Sequence, residues 1–161
     1  MLLSTLLLVV FGLSAASPVA APTSDYRWPL QPLPTVVRGY EAPPQPWAAG
    51  HRGADLLGRA AQAVLAAGDG VISYRGVLAG RGIVSVQHPN GWKTTYEPVV
   101  DALPVGTAVH RGEQIGILAT AQSHCAPRIC LHWGLIIAPD SYRDPLTLLV
   151  LRAPVLLPLT D

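Results

Sequence analysis

The chain has 161 residues, half of them hydrophobic, enough for one ordinary domain with a real core and too few for a second. A formal net charge of +1, with only 13% charged residues, excludes an electrostatic footprint for nucleic acid or a polybasic patch for acidic lipid. There is no Gly-rich phosphate loop, dinucleotide fingerprint or nucleophile elbow, so nucleotide-dependent and serine-hydrolase chemistries are excluded as well.

Residues 1–20 are apolar from Leu2 to Leu13 and then turn to small residues, the pattern of a secretory signal peptide with cleavage after Ala16 or Ala20. The run is short of the roughly 20 residues that span a bilayer. The expected location is therefore secreted and cell-wall associated, the alternative being a membrane anchor through an uncleaved segment. Residues 21–46 are Pro-rich, which favours extended backbone. They read either as a lead-in draped over the domain through Trp28, Tyr40 and Trp47, or as a disordered linker.

From residue 47 to 149 short apolar runs alternate with glycine-bearing turns, and several have period two, as in Val71 to Arg75 and Ile83 to Gln87. With sixteen prolines, fifteen glycines and no sustained helical stripe, this implies an all-β domain, an antiparallel sheet or sandwich. His88-Pro89-Asn90-Gly91 marks a hairpin, since Asn and Gly both tolerate positive φ. His88 and His110 are expected to be solvent-facing turn residues. Trp92 and Trp133 belong either to a groove wall or to the core. Residues 150–161 form a C-terminal tail, and the leucine-rich stretch leading into it from Leu146 is expected to pack a helical turn or an edge strand against the sheet.

Chemistry concentrates in two places. His51-Arg-Gly-Ala-Asp55 places an imidazole and a carboxylate four residues apart, about 13 Å in an extended strand at about 3.3 Å per residue. A bend at Gly53 would bring both to one metal ion, the alternative being a salt-bridged turn on the surface. In Cys130-Leu-His132, residues 130 and 132 share a strand face while Leu131 faces the core. Export and close spacing make Cys125 and Cys130 an expected disulfide. The alternative is a reduced Cys130 whose thiolate is a fourth metal ligand.

Taken in order, the HxGxD of His51 to Asp55, the hairpin Val84 to Tyr96, the segment Gly106 to Leu118 and the pair Leu131-His132 resemble the lysostaphin/LytM-type zinc metallopeptidases. The resemblance runs from Trp47 to Leu149. It implies an antiparallel β fold, one zinc ion held by His51, Asp55 and His132, and a groove for peptidoglycan stem or cross-bridge peptides. Two family histidines that serve proton transfer are replaced here by Pro98 and Cys130. Neither replacement can act as acid or base. Glu97, His124 and Tyr96 are the candidates to substitute, although Glu97, adjacent to Pro98, is expected to face the opposite side of its strand. The function implied is a secreted zinc protein that acts on or binds wall peptides. The alternative is a pseudopeptidase that binds them or regulates another wall hydrolase.

Overall fold

The computed structural model describes residues 24–45 and 47–149; the expected signal segment and the tail from residue 150 lie outside the described residues. Within them the chain is almost entirely antiparallel β. Its strands are β1 (Val36–Arg38), β2 (Gly53–Leu57), β3 (Ala63–Leu65), β4 (Gly70–Leu78), β5 (Arg81–Gln87), β6 (Lys93–Glu97), β7 (Val99–Val100), β8 (Ala108–Val109), β9 (Gln114–Leu118), β10 (Cys130–Ala138) and β11 (Ser141–Arg143). The main sheet runs β1-β2-β10-β6-β5-β4-β8, with β11 also on β10, and a smaller sheet runs β3-β9-β7. One 3-10 turn, Pro145–Leu149, follows β11 and buries Leu148, so the start of the leucine-rich stretch packs as a helical turn.

Strand alternation divides the main sheet into two chemically different faces. Trp133 on β10 lies opposite Ala54 on β2 and Tyr96 on β6, and Tyr96 lies opposite Val84 on β5. Directly opposed residues point to the same side of a sheet, so all four enter one layer, and all four are fully buried. Val64, Val99, Ile115 and Leu118 from the smaller sheet complete this core.

The β5–β6 connection is the hairpin expected from Asn-Gly. Only Gly91 takes positive φ (86°), while Asn90 contributes its side-chain Oδ1, which accepts the Trp92 backbone N–H at 3.0 Å. The Pro-rich lead-in packs on the domain. It supplies edge strand β1, buries Leu30 completely, and sets Trp28 against Trp133 with ring centroids 6.4 Å apart. Tyr40 donates its hydroxyl to the Tyr142 carbonyl at 3.0 Å, but Trp47 is 84% exposed and anchors nothing.

His88 departs from expectation. It is 3% exposed, not solvent-facing, because the hairpin folds its ring back under Tyr26 and into the sheet. Its Nδ1–H donates to the Asp69 carbonyl at 2.8 Å, and its Nε2 accepts from the Thr94 hydroxyl at 2.8 Å. Thr94 in turn meets the Tyr96 hydroxyl at 2.7 Å, which accepts the Ala67 N–H at 2.9 Å. This chain of donors is complete only with neutral His88. His110, by contrast, is as exposed as its sequence setting suggests. Trp133 belongs to the core, and Trp92 is half-buried against it.

Burial pushes the His88 imidazole below its ordinary value. With the folded pKa depressed, its stabilising effect is complete above the unfolded value of about 6.5 and is lost as pH falls below it. His88→Gln strands parts of the network and should cost about 1–3 kcal/mol at neutral pH. In urea titrations the gap between parent and variant should narrow between about pH 7.5 and about pH 5.5; a gap independent of pH would contradict a buried neutral imidazole.

Candidate metal centre

The face opposite the core carries the candidate site, and strand register builds it. His132 on β10 lies directly opposite Asp55 on β2 and directly opposite Glu97 on β6. Because Trp133 is committed to the core, its neighbour His132 must face outward. Cross-strand pairing then aligns Asp55, His132 and Glu97 in one row. His51 precedes β2, held in a two-bond bridge to Glu41 with both N···O distances at 2.9 Å. Its Nδ1–H donates to the Gly39 carbonyl at 2.6 Å, which leaves Nε2 free to be a ligand.

The donor atoms converge. His51 Nε2 and His132 Nδ1 are 3.1 Å apart, and Asp55 Oδ1 lies 3.1 Å from the first and 2.9 Å from the second. His124 reaches in from the loop before β10, its Nδ1 3.4 Å from Asp55 Oδ1 and its Nε2 3.4 Å from Glu97 Oε1. One ligand atom from each of His51, Asp55, His124 and His132 lies within 4.8 Å of every other. A tetrahedral site with bonds of about 2.0–2.1 Å has edges of about 3.3 Å. The His51, Asp55 and His132 atoms, 2.9 to 3.1 Å apart, fit such an ion, and His124 lies beside them with a wider spread.

Electrostatics agree with the donor geometry. Burial alone would raise the Asp55 carboxyl, yet hydrogen bonds from His124 and His132 outweigh it and hold the group far below the usual carboxylate range. Burial works against the Glu97 carboxylate too, and the contact with His124, the nearby His132 and the Arg81 guanidinium at 3.2 Å bring it below its ordinary value. Asp55 and then Glu97 raise His124 to about 9. Two ionised carboxylates thus draw positive charge into a part-exposed recess, and a metal cation meets that demand where a proton otherwise would.

Several expectations are revised by this geometry. Glu97 faces the site and not away from it, because it is itself the register partner of His132. Tyr96 is no candidate for catalysis: it lies in the core on the opposite face, where burial pushes its hydroxyl up to about 12. Cys130 is disulfide-bonded to Cys125, so it is not a thiolate ligand. His124, weighed for proton transfer, lies between Asp55 and Glu97 at the edge of the cluster. The disulfide was the available signal, since it pins residue 125 beside a strand face shared with His132. Gly53 has no positive φ and is the first residue of β2. Its role is room: a Cβ there would collide with the Trp133 carbonyl and lie 2.7 Å from His132 Nε2.

A β scaffold that gathers His, Asp and His side chains on one sheet face defines a metal-binding class of protein. Residues 49–145 match peptidase family M23, and the chain belongs to it. An uncharacterised protein of Mycobacterium bovis is 45% identical over 148 residues, and a Mycobacterium tuberculosis protein matches to the same degree. These matches cover 90% of this chain and 59% of each relative, so the chain spans less than two thirds of the curated relatives it matches. Among solved structures, a zinc-containing peptidase from Vibrio cholerae superposes with a TM-score of 0.62 at 20% identity, covering 83% of this chain and 41% of that one. The catalytic domain of the antimicrobial peptidase lysostaphin from Staphylococcus simulans superposes with a TM-score of 0.61 at 19% identity, covering 72% and 92%. At these identities the likeness is one of fold.

The steric role of Gly53 is open to test. Gly53→Ala should lose about 1–3 kcal/mol of stability by overpacking and displace the His132 ring, so that the purified protein retains less metal. Gly39→Ala, where a Cβ meets nothing within 4 Å, is the matched control and should behave as the parent. Full metal content in Gly53→Ala would show that the ring has another place to go.

Proposed function

We propose that this chain is an exported zinc-dependent member of the M23 peptidases that acts on peptidoglycan stem or cross-bridge peptides. The observation that carries the reading is the triangle of His51 Nε2, Asp55 Oδ1 and His132 Nδ1, with sides of 2.9 to 3.1 Å, on the outward face of the sheet. These residues would hold the ion. When bound, zinc supplies Lewis acidity, polarising a scissile carbonyl and acidifying water. Export is supported by the apolar leader and by the Cys125–Cys130 disulfide, a bond that persists in oxidising compartments.

The chain's own groups have separable tasks. Asp55 keeps its negative charge and fixes the His51 and His132 rings. Glu97 is ionised and is steadied by Arg81, and one of its oxygens lies at the rim of the donor cluster. From there it can accept a proton from water attacking a peptide carbonyl and return it to the leaving amine, the work of the histidines absent at positions 98 and 130.

A second reading, a pseudopeptidase that binds wall peptides or regulates another hydrolase, is favoured by Pro98 and the disulfide-bonded Cys130, which move no protons. One assay separates the two. Purified zinc-loaded protein incubated with peptidoglycan should release new amino groups, chelation should stop the release, and Glu97→Gln should slow it about 100-fold to 10,000-fold with zinc content unchanged. Absence of release alongside saturable, chelator-sensitive binding of the same peptides would establish the second reading.

A further inference from the structure

His124 is attached to the site by an unusual route. The ligands on the strands are placed by register, whereas His124 lies in the loop between β9 and β10 and depends on what holds that loop. Cys125, its neighbour, is bonded to Cys130, the first residue of β10 and two positions before His132. Residues 130 and 132 share a face, so this bond fixes the backbone next to His124 beside the ligand row. The Ser123 hydroxyl reinforces the same closure by accepting the N–H groups of Cys125 at 3.2 Å and Cys130 at 2.9 Å.

The ring that this loop presents has the contacts of a ligand. Nδ1 points to the shared donor atom, Asp55 Oδ1, and the ring centroid is 4.7 Å from that of His132. Nε2 points away from the cluster to Glu97 Oε1. Metal-bound histidines characteristically donate the other ring N–H to a carboxylate or a backbone carbonyl. His51 does so to Gly39, and His124 has Glu97 in the same relation. It is also the most accessible of the four donors, its side chain 26% exposed against 5% for His51, 3% for Asp55 and 11% for His132.

We propose that His124 is a fourth protein ligand to the metal through Nδ1, delivered by the Cys125–Cys130 disulfide, so that the resting centre is closed and an incoming peptide or water must displace His124. The inference rests on reading the cluster as a metal centre and specifies its coordination. Sites with four protein ligands are closed, and those with three keep a position for water or substrate. Here the fourth ligand is the one on a loop, and its Nε2 contact with Glu97 does not depend on the Nδ1 bond to the metal.

Cobalt(II) titration of the purified protein tests this without reference to turnover, because the ligand-field spectrum reports the coordination sphere. The parent should bind cobalt with a spectrum that added azide leaves unchanged. His124→Ala should bind it at least about 10-fold more weakly, since loss of even an outer-sphere partner has that effect, and its spectrum should shift with azide. Cys125→Ser/Cys130→Ser should become azide-sensitive in the same way. A parent that already responds to azide, with unchanged affinity in His124→Ala, would overturn the fourth ligand and leave the three-ligand centre standing. A double-serine variant that stays unresponsive would overturn the role of the disulfide, and a parent that takes up neither cobalt nor zinc would overturn the metal centre itself.

Discussion

Trp133 lies across from Ala54 on one side and Tyr96 on the other, and this buried row sets the position of everything functional on the opposite face. A strand has a period of two, so with Trp133 in the core the preceding residue, His132, must face outward, and its register partners Asp55 and Glu97 must face outward with it. A slip of one residue between β10 and either neighbour would turn one member of the row into the core and bring an apolar residue out. The hydrophobic layer thus positions the ligands more rigidly than any contact among the ligands themselves. Burying a Trp and a Tyr is worth several kcal/mol, whereas polar contacts in a part-exposed recess contribute about 1 kcal/mol each.

Charge shapes the outward face in a complementary way. Asp55 is nearly as buried as a core residue, a costly place for a carboxylate unless positive charge compensates it. His51, His124 and His132 surround it, and Arg81 serves Glu97 at the rim. In this arrangement the recess favours a cation at one point and a negative charge just outside it. In the proposed reaction, Glu97, one strand beyond His132, would handle the proton while His51, Asp55 and His132 would hold the ion.

Much of this was legible in the sequence, for identifiable reasons. Alternation and turn residues implied the antiparallel sheet, the spacing of His51 and Asp55 suggested a metal pair, and the resemblance to the lysostaphin/LytM-type peptidases added His132 as the third ligand. What could not be read depended on partners distant in the chain. The orientation of Glu97 follows from its pairing with His132, which no local pattern encodes. Reasoning from its neighbour Pro98 pointed the wrong way, because residue 97 is the last of β6 and Pro98 lies beyond the strand. His88 looked like a turn residue since it adjoins Asn-Gly, yet its burial depends on Asp69 and Tyr26, far earlier in the chain. Gly53 was singled out for a bend, and its position also leaves the space taken by the His132 ring, which no local pattern encodes. His124 lacked a local signature; the disulfide next to it and the Ser123 hydroxyl hold its loop beside the site.

The central claim is that the M23 scaffold of this chain holds a metal ion at His51, Asp55 and His132. The most direct measurement is anomalous scattering at the zinc absorption edge from crystals of the zinc-loaded protein. The account predicts one strong peak per chain, within bonding distance of His51 Nε2, Asp55 Oδ1 and His132 Nδ1. Absence of a peak there, or a peak bound to other residues, would contradict it.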